Sequence, residues 1–312
     1  MATRVSVVVN PRAGSGSAGR QLPALRRGLE RLGLRYEILE TQKRGHATTL
    51  AARAIEGGCE LLAVMGGDGT LNEVCQIYVD GRGEPVAGPP IALFPSGTGG
   101  DFPKSRPFLS GGLAEALARL SSTQRSPLDL GVITLHDIDG RSVQRAFVNV
   151  ASVGISGEVD ERVERGPKWL GGKAAFLIGT VGAALEYQNV PIEVEIDGQE
   201  WHRGPMLITA IANGQYLGGG MHIAPHADPT DGLLDVICVG DLSRGRFLRL
   251  FPSVYKGAHL GLDCVRSGRG RSIQVRSMGA HKPILVDVDG ETPGYLPLVA
   301  RIFPGALQLC GA

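Results

Sequence analysis

A doubly wound α/β domain followed by a β-sandwich is the fold this sequence predicts, and three observations carry the prediction. Up to about Leu128 the chain alternates strand-like and helix-like periodicity. Beyond that point it turns into strand-like runs separated by turn dipeptides. At 312 residues the chain also exceeds what one compact core ordinarily holds.

In chain order, an apolar strand pattern at residues 5–9 precedes a helix pattern at 21–32, a strand at 35–40 and a helix at 47–55. A strand at 61–65, a helix at 71–79, a strand at 90–94 and a helix at 113–120 follow. Such alternation implies right-handed crossovers and a parallel sheet. Later strand patterns fall at 129–135, 146–150, 192–196, 206–212, 233–239, 272–276 and 284–288, with Asp139-Gly140, Asp197-Gly198 and Asp289-Gly290 supplying turn chemistry. Helical stretches interrupt at 171–186 and after Ser243. Runs of strands after a βα half predict a separate, mostly antiparallel sandwich, with domains at 1–128 and 129–299.

Composition narrows the function classes. With 43% hydrophobic and 20% charged residues the chain reads as a soluble globular protein, and a net charge of +1 gives no support to nucleic-acid binding. The five cysteines are scattered without a C-x-x-C pair, which argues against a disulfide framework or a zinc knuckle and fits a reducing cytoplasm. The N-terminal apolar run is too short for a signal peptide, and no run approaches the roughly 18 residues that span a bilayer.

The stretch "LLAVMGGDGTLNEV" runs a strand into a glycine turn and then a helix. Gly66, Gly67 and Gly69 permit positive φ and leave backbone N–H groups open to a ligand, while Thr70 and Glu73 have capping-box spacing that starts a helix at Leu71. A strand, a glycine turn and a helix N-terminus together make an anion site. Asp68 inside it would repel phosphate unless a cation bridges them, so it is read as organising Mg²⁺, directly or through water, beside a nucleotide phosphate. A tight turn in which Asp68 bonds its own backbone is the plainer alternative. A second such turn follows the next strand: in "PSGTGGDF", Ser96 and Thr98 offer hydroxyls, Gly97, Gly99 and Gly100 backbone access, and Asp101 another carboxylate. Neither turn holds G-K-[ST], which excludes a P-loop. "GSGSAG" at 14–19 satisfies G-x-G-x-x-G, but Asn10-Pro11-Arg12-Ala13 separates it from the strand, against the dinucleotide pattern.

Taken jointly, "VVNPRAGSG", "GHATTLA", "GGDGTLNEV", "FPSGTGGDF", "FVNVASVGISGEV", "NGQYLGGGMHIAPHADPTDGLLDV" and "VDVDGE" resemble the diacylglycerol kinase catalytic-domain family of lipid kinases, in its bacterial soluble form. The resemblance runs from residue 8 to 291, almost the whole chain. It implies a Rossmann-like nucleotide domain of the phosphofructokinase and NAD-kinase type, completed by residues 300–312, and a C-terminal sandwich, with the active site in the cleft between them. ATP and Mg²⁺ are the implied cofactors. Nucleotide contacts are expected from Asn10, Thr41, Gly66, Gly67, Asp68, Gly69, Thr70, Glu73, Ser96, Gly97 and Thr98. Asp68 and Asp101 would serve the metal-phosphate site, and Glu291 would accept the proton. Asp231, with the backbone of Asp228 and Leu233, matches a second Mg²⁺ site. The family usually reads G-T-x-N-D-F, and Gly100 stands here in place of its Asn.

Read physically, "DPTDGLLDV" fails as an EF-hand, because aligning Gly232 with the loop glycine places Ala227 and Cys238 at ligand positions. An acidic turn before a strand and a loop lending Mg²⁺ one or two oxygens both remain open. In "VDVDGE", period-two spacing sets Asp287, Asp289 and Glu291 on one strand face, where a carboxylate can take a proton from an attacking hydroxyl; ordinary surface acids on a hairpin are the alternative. His222 and His226 lie in a Gly- and Pro-rich loop that disfavours a helical metal pair, and His46 reads as structural.

A lipid substrate must arrive from a membrane. Residues 167–187 combine Lys168, Trp169 and Lys173 with an apolar helix, a composition that fits lipid contact or a buried core helix. Between Asp241 and Lys282 the basic residues far outnumber the acidic ones. The expectation is a cytoplasmic protein in transient peripheral contact with the inner face of a membrane, with a lipid substrate, no nucleic-acid partner and homodimer formation left open. A soluble-substrate kinase resembling NAD kinase, a ceramide or sphingoid kinase, and a non-catalytic nucleotide or lipid sensor are the rivals.

Overall fold

The structure is a computed structural model that describes residues 3–96, 100–109, 111–157, 159, 179, 180, 182, 183, 187–279 and 283–311. Gly97, Thr98, Gly99, Lys168, Trp169, Lys173, Lys282 and most of the expected helix at 171–186 lie outside the described residues. The chain forms two compact units, Met1–Leu130 with Pro304–Ala312, and Gly131–Phe303.

In the first unit β1 (Arg4–Val9), α1 (Ala13–Arg31), β2 (Arg35–Glu40), α2 (His46–Glu56), β3 (Leu61–Gly66), α3 (Asp68–Cys75), β4 (Ile91–Pro95), α4 (Phe102–Ser105) and α5 (Leu113–Ser121) follow in order. The strands form a parallel sheet in the order β2, β1, β3, β4. Beside β4 lies the end of β14 (Glu291–Cys310), where Leu309 pairs in parallel with Ile91. Strand order therefore reverses between β1 and β3. The inner strands β1, β3 and β4 are buried on both faces because helices cover both: Val5, Val7, Val9, Ala63, Met65 and Phe94 pack with α1 and α5 residues such as Leu25, Leu29 and Ala116. Helix α1 begins earlier than periodicity predicts, through left-handed residues at Gly14, Ser15 and Gly16.

The second unit contains most of β5 (Arg125–His136), then β6 (Ser142–Phe147), β7 (Val150–Gly154), β8 (Val190–Ile196), β9 (Gln199–Ala212), β10 (Leu234–Gly240), α6 (Arg244–Leu250), β11 (Val265–Gly270), β12 (Ser272–Ser277), β13 (Leu285–Val288) and the start of β14. In this unit strands β6 to β13 pair antiparallel with their described neighbours. Two long strands make it a sandwich. One half of β9 pairs with β8 and the other with β7 and β10; β14 pairs first with β13 and then with β12. Between the layers lie Ile133, Phe147, Val153, Ile192, Met206, Val236, Ile273, Val286 and Leu298, all at most 1% exposed. The run expected at 146–150 divides into β6 and β7, because Val148, Asn149 and Val150 turn their N–H groups to one carboxylate, that of Asp289.

Candidate active site

Strands β1, β3 and β4 end level with one another: Val9 pairs with Met65, Met65 with Phe94, and Gly66 with Pro95. Their following segments therefore reach one edge of the sheet at the reversal in strand order, where open α/β sheets bind ligands. Asn10 joins the first two segments. Its N–H donates to Met65 O at 2.9 Å, its Nδ2 to Thr70 Oγ1 at 3.4 Å, and its Oδ1 accepts Arg12 N–H at 3.1 Å. Thr41, after β2, donates its N–H to Val9 O at 2.8 Å, and Ser96 donates its N–H to Gly66 O at 3.2 Å.

The glycines of the first turn act through space rather than through positive φ, which none of the three adopts. A Cβ on Gly66 would lie 2.4 Å from Thr70 Oγ1, so only glycine admits this packing of strand on helix. On Gly67 or Gly69 a Cβ would meet nothing within 4 Å. That leaves open space beside the first N–H groups of α3, and an anion such as a nucleotide phosphate fits it. The capping-box expectation is corrected: α3 starts at Asp68 with Gly67 as its N-cap, and Thr70 lies within the first turn. Glu73 serves another helix. Its Oε2 accepts Ala47 N–H at 2.9 Å and its carbonyl accepts the Thr48 hydroxyl at 2.6 Å, tying α2 to α3.

Asp68 and Asp101 come together. Asp68 Oδ2 accepts Asp101 N–H at 2.7 Å and Oδ1 accepts Phe102 N–H at 3.2 Å, so one carboxylate caps α4 and clamps the second turn to the first. Asp101 is 5% exposed, and Lys104 Nζ lies 2.5 Å from its Oδ1. At Gly100 a Cβ would meet Pro103 Cδ at 3.0 Å and Asp68 Oδ1 at 3.4 Å, so the usual Asn would crowd Pro103 while only touching the clamp. Among the described residues no three His, Cys, Asp or Glu side chains gather as a metal cage. Mg²⁺ is commonly held by one or two carboxylates plus substrate phosphates, and Asp68 with Asp101 fits that donor set.

In the second unit the "VDVDGE" acids do not share a strand face. Asp289 and Gly290 have φ of 51° and 85°, forming a two-residue hairpin turn with positive φ at both central positions, so Glu291 opens β14 opposite Val288. Asp289 Oδ1 accepts the N–H groups of Asn149 at 3.1 Å and Val150 at 2.8 Å, and its Oδ2 that of Val148 at 3.0 Å. Asp287, 4% exposed, accepts Gly290 N–H at 2.8 Å and the Ser152 hydroxyl at 3.1 Å. Both are occupied in building the hairpin, whereas Glu291 is partly exposed at its tip. In the "DPTDGLLD" turn, Asp228 Oδ1 accepts Thr230 N–H at 3.1 Å, and Asp231 Oδ1 accepts Leu233 N–H at 3.0 Å. The Arg269 guanidinium pairs with Asp231 and donates to Asp235 Oδ2 at 3.1 Å, so a cation of the chain itself already balances this turn.

The sandwich also carries a half-open pocket whose accessible lining is almost wholly hydrocarbon, with Ile155, Leu207, Met221, Leu242, Phe247 and Phe251 in its wall. His259 belongs to the same wall and is 4% exposed. Its Nε2 lies 2.9 Å from Ile223 O, and its Nδ1 has no hydrogen-bond partner among the described residues. Sequence reasoning missed Lys104 and His259, and took Arg269 only as one of the basic residues between Asp241 and Lys282. Only Lys104 left a local signal, its i,i+3 spacing from Asp101.

Residues 4–133 match the family described as "Diacylglycerol kinase catalytic domain", and residues 149–311 match the "YegS C-terminal NAD kinase beta sandwich-like domain". A diacylglycerol kinase of Mycobacterium tuberculosis (strain CDC 1551 / Oshkosh) is 28% identical over 306 residues, spanning 98% of this chain and 94% of that protein. Among solved structures, a diacylglycerol kinase from Bacillus anthracis str. Sterne superposes with a TM-score of 0.70 at 20% identity, covering 99% of this chain and 97% of that one. An NAD kinase from Archaeoglobus fulgidus in complex with ATP gives 0.54 at 14% identity, covering 99% and 94%. At those identities the structural likeness speaks for the fold alone. With both units matched along their length, the chain belongs to the diacylglycerol kinase catalytic-domain family and is a lipid kinase, a phosphotransferase that uses ATP.

Proposed function

We propose that this lipid kinase phosphorylates diacylglycerol to phosphatidic acid. The observation that carries the reading is the half-open, hydrocarbon-lined pocket in the sandwich, whose wall suits an acyl chain rather than a polar substrate. The open positions beside Gly67 and Gly69 receive the ATP phosphates against the start of α3. Asp68 holds the two turns in register, and Asp101 faces the phosphates with Lys104 beside it. Mg²⁺ bound there would offset charge on the transferring phosphoryl group. The lipid hydroxyl oxygen bonds to the γ-phosphorus, the bond from that phosphorus to the β,γ-bridging oxygen breaks, ADP departs, and Glu291 takes the hydroxyl proton. The lipid comes from a membrane, so transient peripheral contact with its inner face belongs to the same proposal.

One observation favours a second lipid class. Because Nε2 of His259 donates to a carbonyl and burial holds the imidazole below its ordinary pKa, Nδ1 is a neutral acceptor in an apolar wall. A ceramide or sphingoid base, carrying an amide, amine or second hydroxyl donor, would satisfy it where binding opens the wall onto Nδ1, which is buried in this structure. Comparing kcat/KM for diacylglycerol, ceramide and sphingosine with radiolabelled ATP in mixed micelles decides between them. Preference for diacylglycerol supports the first reading, and preference for ceramide or sphingosine refutes it.

A further inference from the structure

The segment 244–256, "RGRFLRLFPSVYK", carries two opposed stripes at helical spacing. It comprises α6 and the 3₁₀ helix Phe251–Lys256 that continues it. Phe247, Leu250, Phe251 and Val254 point inward and form part of the cavity wall. Arg244, Leu248, Arg249, Pro252, Tyr255 and Lys256 are exposed. Among the described residues only five large hydrophobic side chains are exposed, and two of them, Leu248 at 40% and Tyr255 at 41%, stand on this one stripe. The stripe is also one-signed: 244–256 holds four basic residues and no acid. Arg246 pairs with Asp263, which leaves Arg244, Arg249 and Lys256 to face outward. A ladder of rings connects the two sides, Phe247 to Phe251 at 5.3 Å and Phe251 to Tyr255 at 5.7 Å.

We propose that 244–256 is the bilayer-docking port of the sandwich, resting its Leu248 and Tyr255 stripe in an anionic leaflet while its inner face bounds the cavity that receives a hydrocarbon chain. An ordinary solvated helix would not combine exposed apolar side chains with single-sign charge on the stripe opposite a hydrocarbon-lined pocket. Basic residues draw such a stripe to anionic headgroups, and leucine and tyrosine seat it at the acyl boundary. The use of the cavity rests on the lipid substrate proposed above; the docking does not.

Co-sedimentation with vesicles tests it, using phosphatidylcholine alone and phosphatidylcholine with 30% phosphatidylglycerol as an arbitrary anionic load. Wild-type protein binds the anionic vesicles more tightly. Replacing Arg244, Arg249 and Lys256 together with Gln weakens that binding by on the order of a hundredfold, about fivefold per charge. Leu248→Ser with Tyr255→Ser weakens it again, while Ile138→Ser, at an 82% exposed position elsewhere in the same unit, does not. Melting curves of each variant confirm folding. Wild-type affinity in the triple variant, or no vesicle binding by the wild type, overturns the proposal. So does dimerisation that the Leu248 and Tyr255 changes abolish while leaving vesicle binding intact, which would assign the stripe to a second copy. Activity on a short-chain diacylglycerol in detergent micelles separates the two readings: a triple variant active there but blind to vesicles supports docking, and a wild type inactive there but bound to vesicles refutes the substrate alone.

Discussion

Replacing Asp68 with asparagine distinguishes a clamp from a mere metal ligand. The carboxylate accepts Asp101 N–H at 2.7 Å and Phe102 N–H at 3.2 Å. Hydrogen bonds to a charged acceptor contribute about 1.5–3 kcal/mol each and neutral ones about 0.5–1.5. Asparagine keeps one acceptor, without its charge, and turns an NH₂ toward the other N–H. The expected cost is therefore about 2–4 kcal/mol, or on the order of 5–15 °C in melting temperature. The assay is thermal unfolding in chelator with no nucleotide, followed by kinase turnover. The clamp requires the metal-free protein to melt lower and turnover to fall. A side chain that served only to hold Mg²⁺ beside Asp101 would behave in the opposite way: removing its charge would leave the metal-free melt unchanged or raise it, and that result refutes the reasoning.

Gly67→Ala places a methyl in open space, so its melting curve should stay near wild type while ATP affinity drops tenfold or more by titration calorimetry; Gly66→Ala, driven against Thr70, should melt lower. Asp289→Ala removes the acceptor of three N–H groups and should destabilise the sandwich by about 3 kcal/mol or more, read by urea unfolding. Glu291→Gln should abolish turnover with ATP affinity nearly intact, and a wild-type rate would remove it from the base role. Burial chiefly holds His259, His222 and His202 below their ordinary pKa. The unfolded chain therefore takes up protons below about pH 6.5 that the folded one refuses, and stability is full above that pH and lost as pH falls toward the folded values. Melting temperature should decline from pH 7 to pH 5, and His259→Gln should flatten part of that decline.

The parallel sheet was legible because its strands are apolar runs followed by glycine turns, and that pattern is local. Where the reading failed, distant partners decided. Thr70 and Glu73 have capping-box spacing, yet Glu73 is taken by Ala47 and Thr70 packs under Gly66, so the helix starts three residues earlier. The Asp289-Gly290 turn was readable from its dipeptide, but the role of Asp289 was not, since the N–H groups it collects lie about 140 residues away. β11 escaped notice because "VRSGRG" is polar and glycine-rich. Its glycines make room for neighbours: a Cβ on Gly268 would lie 2.7 Å from Trp201 Nε1, and one on Gly270 would lie 2.4 Å from Ile196 Cγ2. Arg269, on the same strand, balances Asp231 across a sequence distance that no motif spans.

The proposed reaction is tested most directly by identifying the product formed from γ-labelled ATP when diacylglycerol and NAD are offered together to the wild-type protein. Label recovered in phosphatidic acid, one phosphate for each ATP consumed, is the expected result. Label recovered in NADP, or released as free phosphate with none in lipid, would contradict it.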